Sequence, residues 1–333
     1  MALKKDILNK FTNITSIAAV SAFKFIGMND KINADKAAVD SMRSELNKLD
    51  ISGKIVIGEG ELDEAPMLFI GEKVGTGKGI NLDIAVDPVE GTNFVAKNLN
   101  GGLSVLAIAE KGNLLNAPET YMNKIAVGGD VPNNCIDLDY SIEKNINNIA
   151  DFKRKKLSEV TVCILDRPRH KNIIEKLKKM DVKIKLLSDG DISGALFVTD
   201  SKYNVDLFLG IGGGPEGVLA ACALDSFGCF FQGRFLFNDK KSILRANTMG
   251  IKDLNRKYDL KDIVKGDSIF CATGITNSDL VNGVKLNEDV FITETFVTHK
   301  NSSNNIIINN IAKTWLLALY TIKDQFLVPS SIG

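Results

Sequence analysis

The chain has two histidines, His170 and His299, among 333 residues. That is too few for a multi-histidine zinc site, so any metal chemistry must rest on carboxylates. Cysteine is scarce as well. Cys135, Cys163, Cys222, Cys229 and Cys271 include no CxxC pair, and their odd number speaks against a disulfide framework. Cys163 and Cys271 lie inside apolar runs, as buried free thiols of a reducing compartment do. An excess of charge of either sign is missing: 41 basic residues balance 41 acidic ones. No general field therefore exists to draw in nucleic acid or an anionic membrane. Long apolar runs are missing too. Trp315 to Ile322 falls far short of the roughly 20 residues that span a bilayer. Ser16 to Gly27 is broken by Lys24 and preceded by Asp6, so it reads as a core helix and not as a signal peptide. A soluble, cytoplasmic protein is expected, with neither nucleic acid nor membrane as partner.

With 44% hydrophobic and 25% charged residues, the chain has the makings of a globular core. Its length suits one large α/β unit or two joined lobes. Val39, Met42, Leu46 and Leu49 recur at helical spacing, with Asp35 near the helix start. β-branched runs alternate with helical patterns through the second half, which argues for a layered α/β fold. The stretch from Leu103 to Glu119 reads as a hairpin turned at Lys111-Gly112. Ser141 to Ser158 is polar and basic and reads as the join between an N-terminal lobe, 1–155, and a C-terminal lobe, 156–333. The Asn/Ser-rich stretch from Lys300 to Asn310 opens an atypical tail.

Three apolar strand patterns end in an acid beside glycine: Glu59, then Asp87 with Glu90, then Glu216. Ligands gather beyond the carboxyl ends of strands in open α/β sheets, so these acids are candidates to converge. Clustered carboxylates repel one another without a cation, and hard divalent ions such as Mg²⁺ or Mn²⁺ prefer oxygen ligands. The opposing reading is solvated turn acids. In "DPVEGT", Pro88 restrains the backbone, Gly91 permits close approach, and Thr92 stands where a helix can start. Its hydroxyl suits a phosphate site or, equally, an N-cap. Glu61, Asp63 and Glu64 suit the start of a helix after Pro66, and Asp35 suits an N-cap. Arg167 and Arg169 flank Pro168 just after a strand, placed either for a phosphate or for the surface. Tyr121 and Lys124 are candidate substrate contacts, with a core role open for the tyrosine. "GIGGGPEG" fails as a dinucleotide fingerprint, because Pro215 holds the third glycine position. No P-loop and no Ser/His/Asp or Cys/His arrangement occurs, which leaves water as the simplest nucleophile.

The motifs "VIGEGELDEAPMLFIGEKVGTG", "AVDPVEGT", "LNAPETYMNK", "RPRH", "DGD", "GIGGGPEGV" and "ATGIT…TET" occur in this order across most of the chain. Together they closely resemble the class II, GlpX-type fructose-1,6-bisphosphatases of bacteria. "DPVEGT" looks like that family's form of a signature found in the wider lithium-sensitive sugar and inositol phosphatases. The resemblance implies an α-β-α-β-α layered sandwich with the site between two lobes. It implies hydrolysis of the 1-phosphate of fructose 1,6-bisphosphate by metal-activated water, with two or more Mn²⁺ or Mg²⁺ ions, in a dimer or tetramer. By position, Asp35 and Glu59 match ligands of one metal, and Asp87, Glu90 and Glu216 ligands of another. Thr92 matches the residue that polarises water. Glu90, Gly91, Thr92, Tyr121, Arg167, Pro168, Arg169, Asp189, Gly190, Asp191 and Gly213 match the substrate contacts. Departures also occur. Gly27-Met28-Asn29-Asp30-Lys31 stands where Gly-Arg-Gly-Asp-Lys is expected, and Asn93-Phe94 replaces a common Arg. Arg167 replaces a frequent Lys, Arg234 to Val264 matches poorly, and the last thirty or so residues do not match.

Overall fold

The structure, a computed structural model, describes residues 3, 5–58, 68–302 and 304–314. In chain order, α1 (Lys5–Phe23) and α2 (Lys31–Asn47) precede β1 (Ile51–Ile57), β2 (Lys73–Val74), β3 (Ile80–Glu90), α3 (Thr92–Ala96), β4 (Leu103–Glu110), β5 (Tyr121–Val127) and α4 (Ile142–Lys153). Next come β6 (Thr161–Leu165), α5 (Lys171–Lys179), β7 (Lys183–Leu187), α6 (Asp191–Leu196), β8 (Leu207–Gly213), α7 (Gly214–Ser226), β9 (Phe230–Leu236) and α8 (Lys240–Thr248). The described chain closes with β10 (Tyr258–Asp259), α9 (Leu260–Ile263), β11 (Ser268–Gly274), β12 (Lys285–Asn287), β13 (Val290–His299) and β14 (Asn305–Ala312).

The strands form two mixed sheets. One runs β12-β13-β11-β4-β3-β1-β2, with β14 added to β13, and the other runs β10-β9-β5-β8-β6-β7. Pairing crosses residue 155 in both directions, since β5 belongs with β8 and β9 while β11 to β14 return to the first sheet.

The unbroken apolar runs of the first sheet follow from burial on both faces. Along β4, Leu103, Val105, Ala107 and Ala109 enter a cluster with Ile192 and Leu196 of α6 and Leu219 of α7. The intervening Leu106 and Ile108 enter a second cluster with Ile14 of α1 and Met42 of α2. A third cluster lies on the far face of the second sheet, where Ile125, Ile164 and Leu207 meet Ile146 and Ile149 of α4 and Leu177 of α5. Each buried Leu or Ile contributes about 1.5–3 kcal/mol relative to exposure. The helices α6 and α7 thus lie between the sheets.

Several expectations are corrected. Leu103 to Glu119 is no hairpin: β4 ends at Glu110, Leu114 bridges to Val264, and β5 joins the other sheet. The stretch from Lys300 is strand from Asn305 to Ala312, paired along β13, so composition alone hid an edge strand. Asp35 does not cap α2. That helix starts at Lys31, and the Asp30 carboxylate accepts the Asn33 N–H at 3.0 Å. Asn29, where the resemblance leads one to expect glycine, takes φ 55°, a left-handed conformation that asparagine tolerates. Glu61, Asp63 and Glu64 lie outside the described residues, but the helix expected after Pro66 is not found: from Leu68 the chain turns at Ile70-Gly71 and enters β2.

Candidate functional site

Asp87 and Glu90 lie three residues apart, and a regular strand would aim them at opposite faces. The register between β3 and β4 shifts between these two residues, at Pro88, which has no N–H to give to a ladder. The shift moves Val89 into the cluster with Leu82, Ile84 and Val86. Glu90 then turns to the same side as Asp87, and the two side chains share a hydrogen bond. Glu90 is buried, and its Oε1 accepts the Ile192 N–H of α6 at 3.1 Å. Burial pushes the Glu90 carboxyl up to about 8, and the nearby charges of Glu216 and Asp191 add to the shift.

Glu216 stands in the first turn of α7 behind Pro215. Its carboxyl is also raised, by burial first, with Lys124 opposing and Asp191 and Asp189 adding. The glycines before it are explained by these acids. A Cβ on Gly213 would lie 1.8 Å from Glu216 Oε2, and one on Gly212 would lie 2.0 Å from Asp191 Oδ2. The run therefore serves close approach of carboxylates to backbone, and any larger residue would displace them.

Lys124 departs from its expected role as a substrate contact. It is 1% exposed, and its ammonium donates to Asp191 Oδ2 and, at 2.7 Å, to the Gly213 carbonyl. Thr92 opens α3, but Gly91, at φ 75°, is the cap residue and makes no side-chain cap bond. The Thr92 hydroxyl is therefore not spent on capping. The capping alternative fails.

Asp189 joins the two sheets. Its Oδ1 accepts from Arg167 Nη2 at 3.0 Å and its Oδ2 from Asn93 Nδ2 at 3.3 Å. Arg169 donates to the Ile211 carbonyl at 2.8 Å and lies over the Tyr121 ring, 4.7 Å from its centroid. His170 is fully buried. Its Nδ1 meets the Leu165 carbonyl at 2.7 Å, while Nε2 accepts the Ile211 N–H at 2.7 Å. Burial lowers its pKa, with the Arg169 charge adding, so the ring stays neutral and clamps the Arg167–Arg169 turn onto the end of β8. Sequence reasoning assigned His170 no role. Its place at the end of "RPRH", directly after a strand, was the available signal.

A cleft of about 490 Å³ is lined by Asp87, Tyr121, Gly213 and Glu216, together with Glu119, Asn238, Asp239 and Ser242. The last three come from the segment that matched the family poorly, and no motif pointed to them. Asp189 and Gly190 line a separate cavity of about 110 Å³ beside Phe94.

The structure brings together Asp87, Glu90, Asp191 and Glu216. Asp35 stands apart in α2, half-buried, its carboxyl raised to about 6 by burial alone. Glu59 lies outside the described residues. Among the described residues, no three His, Cys, Asp or Glu side chains form a ready-made metal site. The donors present are hard oxygens under mutual repulsion, and that set fits a hard divalent cation. All five cysteines are free, with four buried and Cys135 half-buried. Among the described residues, no helix is long and apolar enough to cross a membrane.

Comparison with known proteins shows the family of the chain. A family model described as bacterial fructose-1,6-bisphosphatase, glpX-encoded, matches residues 5–312, which includes both the segment from Arg234 to Val264 and β14. The chain is 40% identical over 309 residues to fructose-1,6-bisphosphatase 1 class 2 of Escherichia coli K12, covering 89% of this chain and 91% of that protein. It is 40% identical to fructose-1,6-bisphosphatase class 2 of Haemophilus influenzae, over 89% of this chain and 92% of that one. It is 39% identical to D-fructose 1,6-bisphosphatase class 2/sedoheptulose 1,7-bisphosphatase of a Synechococcus species, over 86% and 89%. Among solved structures, an extragenic suppressor from Pyrococcus furiosus aligns over 58% of this chain and 70% of its own. Its TM-score of 0.30 at 15% identity is too slight a likeness to bear on the fold.

Proposed function

The chain belongs to the bacterial, glpX-encoded fructose-1,6-bisphosphatase family, and we propose that it removes the 1-phosphate of fructose 1,6-bisphosphate to give fructose 6-phosphate and phosphate, a gluconeogenic step. The observation that carries this reading is the convergence of Asp87 and Glu216, which line a cleft, with buried Glu90 beside them, near a glycine-rich loop and a Thr92 hydroxyl not used in capping. Mn²⁺ or Mg²⁺ held by Asp87, Glu90 and Glu216, with Asp35 and Glu59 serving a further ion, would neutralise phosphate charge and activate the attacking water.

The chain's own residues supply the rest. Thr92 orients the water. Gly91 and Gly213 contact the phosphate through their backbone, their open sides being taken by Phe94 and Glu216, and the first turn of α7 offers N–H groups. Arg167 and Arg169 hold the second phosphate, Arg169 being pre-aligned on Tyr121. Pro168 keeps the two arginines rigid, while Asp189, Gly190 and Asp191 meet the sugar hydroxyls.

The same reading extends to architecture and assembly. The stacking of α1 and α2, a sheet, α6 and α7, a second sheet, then α4 and α5 supports an α-β-α-β-α sandwich of the lithium-sensitive phosphatase kind, with the site between two lobes. Exposed Ile306 and Ile308 on β14 support a homo-oligomer, dimer or tetramer. Free, buried thiols support a cytoplasmic setting.

The test is phosphate release from fructose 1,6-bisphosphate by chelator-stripped protein with and without Mn²⁺. Arms with sedoheptulose 1,7-bisphosphate, favoured as a second substrate by the Synechococcus relative's name, and with inositol 1-phosphate separate the alternatives. Metal-dependent release that favours the fructose ester and collapses in Thr92→Ala supports the proposal. Binding of the bisphosphate without release of phosphate from any ester makes the protein a sugar-phosphate sensor and defeats it.

A further inference from the structure

Four carboxylates stand in one cluster, Asp87, Glu90, Asp191 and Glu216, yet a metal-dependent sugar phosphatase needs them for two different tasks. Metal ligands must face a cation, whereas an acceptor for a sugar hydroxyl must stay out of the coordination shell. All four are hard oxygen donors, so a divalent ion has no chemical reason to leave one aside. The described residues contain one feature that separates them: Lys124.

Lys124 rises from β5 between Met122 and Ala126, whose side chains enter the core between the sheets. At 1% exposure its ammonium has no solvent, and its partners are the Asp191 carboxylate and the Gly213 carbonyl. Asp191 is held against the Cα of Gly212, where even a methyl group would lie 2.0 Å from its Oδ2. The carboxylate is thus fixed on one side by backbone and on another by the ammonium. The influences on Glu90 are of a different kind. Burial, Glu216 and Asp191 raise its carboxyl, hydrogen bonds from Asp87 and Ile192 oppose them, and no cation is among these causes. The Lys124 charge also lowers the Glu216 carboxyl through space, but its hydrogen bond goes to the Asp191 carboxylate.

We propose that Lys124 is a positioning residue that divides the carboxylate cluster: its ammonium neutralises Asp191 and keeps it from the metal, reserving it for a sugar hydroxyl. This rests on the metal-dependent reading above. It explains why a buried lysine, costly to desolvate, stands in a site that binds cations. It also accounts for two glycines in succession, which let Asp191 and Glu216 settle on neighbouring residues while serving different ligands.

The test is a Mn²⁺ titration of chelator-stripped protein, followed by the electron paramagnetic resonance signal of free Mn²⁺, on wild type, Lys124→Met and the double variant Lys124→Met/Asp191→Asn. Freed from its ammonium, Asp191 becomes a metal ligand in the single variant, which should bind one further ion or bind its weakest ion at least tenfold tighter. Its KM for the bisphosphate should rise about tenfold or more. The double variant, lacking both charges, should return to wild-type Mn²⁺ number and affinity within threefold while KM stays high. Unchanged Mn²⁺ binding in the single variant overturns the proposal, and so does lost binding in the double variant. Should the single variant fail to fold, the double variant decides by itself: wild-type Mn²⁺ binding sustains the proposal, and weaker binding overturns it. Wild-type protein that binds no Mn²⁺ defeats the underlying metal reading, a result distinct from the others.

Discussion

Glu90→Gln should stabilise the metal-free protein while abolishing catalysis. Glu90 is buried and hydrogen-bonded to Asp87 and to the Ile192 N–H, and its carboxyl is raised from 4.5 to about 8. A folded-state value above the unfolded one means the native chain binds more protons between them, so stability falls as pH rises across that window. The stabilising contribution is full below 4.5 and is lost as pH climbs toward 8. At about pH 7.5 the difference corresponds to about 4 kcal/mol. That is an upper bound, because Asp87 shares the proton. Glutamine keeps an acceptor for Ile192 and a donor for Asp87 but carries no charge. The variant should therefore gain stability at pH 7.5 in chelator, as a Tm rise of about 2–4 °C for each kcal/mol realised. Scanning calorimetry at pH 5, 6, 7 and 8 is the assay. Wild type should lose Tm with rising pH and recover it with Mn²⁺, whereas Glu90→Gln should show a flatter profile, little response to Mn²⁺, and phosphate release reduced by at least about 100-fold. A Glu90→Gln protein no more stable than wild type at pH 8 in chelator would refute the reasoning.

Gly213→Ala has an allowed backbone but puts a methyl group 1.8 Å from Glu216 Oε2, so the carboxylate must move by about 1 Å. Phosphate release should drop about 100-fold with the fold intact by circular dichroism. His170→Ala leaves the Leu165 carbonyl and the Ile211 N–H bare at a cost of about 1–3 kcal/mol each. Its Tm should fall and its KM should rise more than its kcat falls, since Arg169 is tied to that same Ile211. Native protein exposed to a thiol reagent at pH 8 should modify Cys135 alone. Cys163, Cys222, Cys229 and Cys271 are buried, with burial holding Cys163 and Cys229 up near 12. Peptide mapping reads the outcome.

Much of the site was legible because its determinants are local. An apolar run that ends in an acid beside glycine marks a strand end on any reading, and Asp87, Glu90 and Glu216 announced themselves that way. The seven motifs in order gave the family. Strand partners were less legible, since hydrogen bonding between strands leaves no mark on the residues before it forms. The β4 pattern followed by another apolar run looked like a hairpin, but β5 crosses to the other sheet. β14 was hidden by its asparagines, of which Asn310 is exposed while Asn309 turns inward and donates to Ser16 Oγ at 2.9 Å.

The sequence by itself determined which residue types stand at which strand ends, the oxygen-only donor set, and the family. The tertiary structure decided how they are aimed. The bulge at Pro88 turns Glu90 to the side of Asp87, a reversal set by pairing with β4 and not by spacing. Lys124 was read as a substrate contact because alternation along a strand says which face a side chain takes, not what waits there. Whether that face meets solvent, substrate or Asp191 depends on how α6 and α7 settle between the two sheets.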